Sequence, residues 1–378
     1  NRQMYLFLLG DCAYFTGRLD EAEAYCQQAE AVLQSMKQGN ADATLFLRAR
    51  IATARGDLEK AHQLYLKAAS ATESAVPRLA WIYMYRLALV CQMMGRVEEA
   101  RQWIEKTIHS LDLAEAGVSM DVAAIYHVIH PFYYKAMEIY LAAGQPGSAF
   151  QIMERYRGQQ LLRMLSEREI LFQWDIPAEL AVSRARLIRE YDRIQQELQQ
   201  LYLEEDPLVL QSKRLRLDEI QKTLEHYREE IRQASPRLAA LREPVALDVP
   251  SAREVMDPGT VALVYALGEE RSVLFVFGRD LELHVFDLAE NRDSLELLTE
   301  QFRQEILQAR SGKWELDRIV AQGTHLYDVL LRPAERFLQS PRRILIIPDR
   351  FLHTLPFSAL VRGKDQKSGK APRTRDWT

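Results

Sequence analysis

Gly17-Arg18-Leu19-Asp20-Glu21-Ala22, Gly56-Asp57-Leu58-Glu59-Lys60-Ala61 and Gly95-Arg96-Val97-Glu98-Glu99-Ala100 share the pattern Gly-x-[Leu/Val]-x-x-Ala, and successive glycines lie 39 residues apart. Equal spacing over three copies marks an internal repeat, and a period of this size belongs to stacked supersecondary units. Each glycine is expected to end one helical run, where the chain turns through a positive φ that glycine adopts freely. Each alanine, five residues on, falls in the next helix, where a small side chain lets two helices approach. Other positions keep step: Leu9-Gly10 before Gly17, Leu87-Ala88 before Gly95, and Ala29 and Ala68 late in the second helix, with Tyr65 just before Ala68. Tyr140, Gly144 and Ala149 form a looser fourth unit, its glycine 49 residues beyond Gly95.

This set of positions resembles the tetratricopeptide (TPR) repeat family, in a form longer than its usual ~34 residues, over residues 1–165. One helical hairpin cannot bury its apolar face alone, so neighbours stack into a superhelix with a concave surface. The resemblance implies a protein or peptide partner on that surface; the plainer alternative is a spacer or regulatory arm.

Residues 166–240 read as a linker and a long helical hairpin, and from Ala178 to about Ala234 the sequence turns charged and strongly helical. Leu187, Tyr191, Ile194, Leu198 and Leu201 alternate four and three apart, as do Leu217, Ile220, Leu224, Tyr227, Ile231 and Ala234. These are heptad seams. Glu204-Glu205-Asp206-Pro207 reads as the break between them, and Ser235-Pro236 as the end of the second arm. The short connection favours an antiparallel hairpin that closes one seam on the other, over dimerisation through the same seams.

After Asp257-Pro258-Gly259 the period becomes strand-like. Thr260–Leu267, Ser272–Phe277 and Leu281–Phe286 predict a three-stranded meander. A helix beginning near Asn291 or Asp293 follows, carrying Leu295, Leu298, Phe302 and Ile306 on one face. A second is expected from about Glu315 to Phe337, bent at Pro333. Ile344-Leu345-Ile346-Ile347 is an apolar run suited to a strand buried on both faces. The fold class is therefore α plus α/β: TPR-like helical repeats, an antiparallel helical hairpin, then an α/β domain over 241–362, with 363–378 as a basic, polar tail of disordered composition.

Two stretches carry a second resemblance: Leu326-Tyr327-Asp328-Val329-Leu330-Leu331-Arg332-Pro333, and Arg343 to Leu360 with Pro348-Asp349, Leu352 and Leu355-Pro356-Phe357-Ser358-Ala359-Leu360. Together they resemble the CHAT family, caspase-related domains commonly found behind TPR arrays. Glu154-Arg155, Leu161-Leu162, Ser235-Pro236-Arg237-Leu238 and Asp257-Pro258-Gly259-Thr260 resemble its lead-in. The resemblance implies a partial caspase-like fold related to regulated cysteine endopeptidases, whose His–Cys dyad follows the Leu-Pro-Phe motif. Nothing after Leu360 resembles those strands, and no His or Cys occurs there. The expectation is a fragment truncated before the dyad, without peptidase activity, whose sheet keeps an open apolar edge. A non-enzymatic TPR scaffold or adaptor is the rival reading.

No catalytic, cofactor-binding or metal-ligating residue is assigned from the sequence. His353 sits inside the strand-to-motif loop, where the family places no catalytic histidine. His127 and His130, with His109 nearby, find no carboxylate or cysteine to complete a metal set. Gly363 with Gly369-Lys370 fails the phosphate-loop spacing, and Ala371 stands where Ser or Thr is required. The 378 residues carry a formal charge of −4, with 48% apolar and 27% charged residues. That balance gives no global attraction to nucleic acid or anionic membrane. Leu79–Val90, the most apolar helical stretch, is interrupted by Arg86 and too short to span a bilayer. Three sparse cysteines, Cys12, Cys26 and Cys91, suit a reducing cytoplasm rather than a disulfide framework.

Overall fold

The computed structural model describes residues 2–36, 42–75, 77–117, 122–167, 207–234, 246–309, 316–339 and 341–363, with part of 182–197. Among these residues, eight helices open the chain: α1 (Arg2–Phe15), α2 (Leu19–Met36), α3 (Asp42–Ala54), α4 (Leu58–Ala75), α5 (Pro77–Met93), α6 (Val97–Gly117), α7 (Val122–Ala142) and α8 (Pro146–Glu167). They pair as four hairpins, and each repeat glycine lies at the turn. Gly17, Gly56, Gly95 and Gly144 have φ of 75°, 78°, 73° and 70°. No atom would crowd a side chain at any of the four. The backbone conformation alone therefore demands glycine.

The hydrogen bonds around them repeat as well. Gly17 N–H donates to Tyr14 O and Arg18 N–H to Ala13 O; the same pair of bonds forms at Gly56, Gly95 and Gly144. This is the Schellman arrangement, which satisfies carbonyls at the helix end. Ala22, Ala61, Ala100 and Ala149 are fully buried, as are Ala29 and Ala68. Gly10 marks another close approach: a Cβ there would stand 2.9 Å from Leu47 Cδ2. Ala13, Ala22, Cys26, Leu47 and Ile51 form one core between the first two repeats. Ion pairs follow the stack: Arg55 with Asp20 at 2.5 Å and Arg96 with Glu59 at 2.8 Å. Such exposed pairs contribute ~0–1 kcal/mol each, so the buried alanines and aliphatics hold the array.

The charged segment is described in part. α9 (Pro207–Ala234) begins on the proline of the predicted break, where a missing N–H leaves no helix bond unmade. Its Leu217, Ile220 and Leu224 pack on Leu187, Tyr191 and Ile194, with Tyr227 beside them. Glu190 with Arg216 and Glu197 with Lys213 bridge the two arms at 2.9 and 2.5 Å. The predicted turn at 204–206 and the seam positions Leu198 and Leu201 lie outside the described residues.

The C-terminal part holds a short helix α10 (Val249–Glu254), strands β1 (Thr260–Leu267), β2 (Ser272–Gly278), β3 (Leu281–Asp287) and β4 (Arg343–Ile347), and helices α11 (Arg292–Ala309) and α12 (Leu316–Leu330). The meander is antiparallel and β4 joins β1 in parallel, giving the order β3-β2-β1-β4. Asn291 caps α11 by accepting from Ser294 N–H at 2.9 Å. The second predicted helix is shorter than expected: α12 stops at Leu330, and Arg332–Phe337, containing Pro333, is a 3₁₀ turn. A helix interior tolerates proline poorly, and a tight turn accepts it.

By contact, the chain separates into two compact units: Asn1–Ile129 with Gly158–Val245, and His130–Arg157 with Ala246–Thr378. The second unit explains how the sheet is covered. Leu263, Tyr265, Leu267, Leu274 and Val276 face Leu295, Phe302, Leu326, Val329 and Leu330 of α11 and α12. On the opposite face, Phe150 of α8 packs edge-on against Phe275 and Phe277, with centroids 5.9 and 5.2 Å apart. The α7–α8 hairpin, read in sequence as the last repeat, thus supplies the second outer layer. β1 and β2 are the strands buried on both faces. Among the described residues β4 is an edge strand with Leu345 43% exposed, so Ile344–Ile347 is not buried on both faces and forms the open apolar edge expected of this sheet. An apolar run indicates burial of a strand, and its place in the strand order decides how many faces are covered.

Asp349, 8% exposed, ties these layers together. Its Oδ2 accepts from the Leu267 N–H at the end of β1 (2.7 Å) and from the Tyr134 hydroxyl of α7 (2.8 Å). Arg350 follows at φ 50°, a left-handed conformation uncommon outside glycine, with its guanidinium carbon 5.1 Å from the Tyr134 ring centroid. On the same side, Arg157 donates to Tyr265 O at 2.5 Å. Replacing Asp349 by alanine is expected to leave two buried donors unpaired, at ~1–3 kcal/mol each. In calorimetry, Asp349→Ala should lower the melting transition of the C-terminal unit, and Tyr134→Phe should lower it less. In the array, Ala61→Trp and Ala100→Trp should each destabilise by ~1–3 kcal/mol through overpacking. Unchanged melting in both tryptophan variants would refute the repeat register.

Candidate partner-binding surface

The first helix of each hairpin carries an aromatic residue ten positions before its glycine: Phe7, Phe46, Tyr85 and Tyr134. Over the first three hairpins the 39-residue period keeps these rings in register. Arg50, six positions before Gly56, matches Asp11, six before Gly17, and the two meet as an ion pair at 2.5 Å. The Arg50 guanidinium lies 4.1 Å from the Tyr14 ring centroid, 4.9 Å from Phe15 and 5.9 Å from Phe46. Phe46 makes edge contacts with Tyr65 (5.7 Å) and Tyr83 (4.8 Å). A ribbon of rings around one cation therefore crosses the first three repeats. Burial pushes the Tyr65 hydroxyl up to about 12, so it stays protonated at neutral pH.

Part of this ribbon is open to solvent. Phe15 is 74% exposed, and Tyr5 and Leu8 on α1 are also uncovered. One repeat later, the positions of Tyr5 and Leu8 hold Thr44 and Leu47, both fully buried. The first repeat thus presents unfilled the face that the second fills. Aromatic and arginine side chains are the groups most often found carrying interface energy: rings bury large area with few rotatable bonds, and the planar guanidinium stacks on rings and pairs with carboxylates.

The fourth hairpin uses its equivalent aromatic residue differently. Tyr134 is buried and donates to Asp349 within the C-terminal unit.

Among the described residues, none of the candidates raised from the sequence gathers into a reaction centre. His353 is exposed on the 3₁₀ turn Arg350–Thr354. His109 is exposed, and the side chains of His127 and His130 lie outside the described residues, as does the stretch 364–378 containing Gly369-Lys370. Cys12 is exposed, Cys26 and Cys91 are buried, and all three are free thiols. Burial, reinforced by nearby carboxylates, pushes Cys26 and Cys91 up to about 12, so both are thiols rather than nucleophilic thiolates at neutral pH. A cluster absent from the sequence analysis does form: His62, Cys91 and Glu99 converge between the second and third repeats. No motif spacing announces it, because the three residues come from three helices. Only their shared repeat register could have pointed there.

Charge reversal at Arg50 should separate the ion pair from the ring cluster. Arg50→Glu places two carboxylates where Asp11 now meets a cation, and a destabilisation of ~1–3 kcal/mol is expected in thermal melting. The double variant Asp11→Lys/Arg50→Glu should recover part of that loss, which a double-mutant cycle would measure.

Among the described residues, no helix is long and apolar enough to cross a membrane. Residues 82–106 match the family model described as the tetratricopeptide repeat. No curated protein matches the chain. Among solved structures, the nearly identical TPR-like repeats of a Podosopora anserina kinesin light chain candidate align at 16% identity and a TM-score of 0.34, over 59% of this chain and 97% of that one. A single-residue variant of the same repeats aligns at 15% identity and a TM-score of 0.34, over 61% of this chain and 97% of that one. With the family match at 82–106 and the repeated glycine geometry, the repeated helical hairpins are TPR-like.

Proposed function

We propose that the chain is a partner-binding TPR scaffold whose first three repeats hold a protein or peptide along the aromatic–arginine ribbon. The observation that carries this reading is the Arg50 cluster: a cation flanked by Tyr14, Phe15 and Phe46, with the Phe15 ring largely exposed. Such a surface suits an extended segment with an apolar anchor beside a carboxylate, the anchor on Phe15 and the carboxylate competing with Asp11 for the guanidinium. The −4 charge and the lack of a membrane-spanning helix among the described residues support a protein partner over nucleic acid or lipid. The free thiols support a reducing, cytoplasmic setting.

The C-terminal unit is read as the opening part of a CHAT-type, caspase-like domain. Support comes from the Pro348-Asp349 and Leu355-Pro356-Phe357 motif and from the parallel pairing of β4 with β1. An intact protein of this kind would be a regulated cysteine endopeptidase, with the repeats sensing a partner. Residues 246–378 hold no cysteine. The adaptor reading keeps the same binding surface and assigns the sheet only to support it.

Selection of a random peptide library on the full chain tests the surface. Selected peptides should lose at least ~10-fold in affinity on Phe15→Ser or Arg50→Ala, as removal of an interface anchor does. Peptides that bind both variants as tightly as the parent would move the site elsewhere. Fluorogenic peptide assays under reducing conditions should show no cleavage, and Cys91→Ser should leave that baseline unchanged.

A further inference from the structure

His62, Cys91 and Glu99 are the one cluster of ligand-type side chains among the described residues that the partner-binding reading leaves unused. His62 projects from α4, Cys91 lies in the last turns of α5, and Glu99 stands at the start of α6. One ligand atom from each lies within 4.8 Å of the other two. His62 Nε2 is 2.7 Å from Glu99 Oε1. Cys91 is fully buried, His62 is 9% exposed, and Glu99 is half-buried. Arg96 stands 3.6 Å from the second Glu99 oxygen, but its closer partner is Glu59 at 2.8 Å.

The repeat supplies its own comparison. One period earlier, the same three positions hold Glu23, Ala52 and Lys60, with neither thiol nor imidazole. The stack therefore forms without this constellation, and packing alone does not call for it. Without a metal the thiol is held protonated: burial first, and the Glu99 charge second, raise its pKa, and the thiol hydrogen-bonds Glu99. A divalent cation reverses both effects, because it neutralises the carboxylate and binds the thiolate directly. Thiolate, imidazole and carboxylate together select a borderline-soft, tetrahedral ion.

We propose that His62, Cys91 and Glu99 form a zinc-class metal site that pins the second repeat to the third, with solvent in the fourth position. Metal–ligand bonds of ~2.0–2.3 Å place ligand atoms ~3–4 Å apart, so side-chain adjustments of ~1 Å close the site. The hydrogen bond between His62 and Glu99 gives way to two metal bonds. The Cys91 proton leaves to solvent, His62 binds as neutral imidazole, and Glu99 binds as carboxylate. The Trp103 side chain, which also hydrogen-bonds Glu99, is placed to orient it. The site rests on no part of the peptide-binding reading.

Cobalt(II) titration of the metal-free full chain tests it. One equivalent should produce a near-ultraviolet thiolate-to-cobalt charge-transfer band, which zinc then bleaches. Cys91→Ser should abolish the band, while Cys26→Ser, at the other buried thiol, should keep it. Glu99→Gln preserves a hydrogen-bonding partner for His62 and should weaken binding by at least ~10-fold. Zinc should raise the melting temperature of the parent chain and not that of Cys91→Ser. No charge-transfer band in the parent, or a band that survives Cys91→Ser, overturns the proposal. Should Cys91→Ser fail to fold, unchanged cobalt affinity in both Glu99→Gln and His62→Gln overturns it as well.

Discussion

A glycine in the left-handed region, followed five residues later by a buried alanine, is the constraint on which the helical part of this protein depends. The positive φ at Gly17, Gly56, Gly95 and Gly144 reverses the chain after each first helix and pairs its last carbonyls. The alanine then sets how closely the second helix can lie. Because the turn chemistry is local and recurs every 39 residues over the first three hairpins, positions between those glycines inherit a register. Asp11 meets Arg50 for that reason, and Phe7, Phe46, Tyr85 and Tyr134 occupy equivalent sites in successive hairpins. The aromatic–arginine ribbon and the His62–Cys91–Glu99 cluster are two consequences of the same register.

The fourth hairpin shows how a repeat can be diverted to another use. Its glycine and alanine keep the local geometry, but from His130 to Arg157 its contacts belong with the sheet. Phe150 fills the face of β2, and Tyr134 shares Asp349 with the end of β1. Strands at the centre of such a sheet need apolar cover on both sides. α11 and α12 cover one side and the borrowed hairpin covers the other. Pro131, within α7, falls beside the boundary between Ile129 and His130. A proline inside a helix removes one backbone hydrogen bond, and here that gap coincides with the change of unit.

How far the sequence can be read follows from the range of the interactions involved. Strand limits, the seams of the charged segment and the turns of the array are legible because period, β-branching and glycine placement act over a few residues. The length of α12 is overstated by its sequence, since its apolar face continues past Leu330 while Pro333 admits only a 3₁₀ turn. The four apolar residues of β4 match a doubly buried central strand, yet its position at the edge is a property of strand order. The metal-type cluster is hidden for a similar reason: three helices each contribute one ordinary polar residue, and only their stacking makes a set.

By itself, then, the sequence determined the local conformations: where helices end, where strands run, and that a repeat of one length governs the start of the chain. It also set the chemistry available, including the absence of any cysteine in the C-terminal unit. Tertiary structure alone decided which surfaces are filled. It placed the last hairpin against the sheet, put Asp349 between a strand end and a helix, and brought His62 to Cys91 and Glu99. The physical reason is that backbone preferences are satisfied within a turn or two of the chain, whereas burial and side-chain pairing depend on neighbours that are distant in sequence and are chosen only when the whole unit packs.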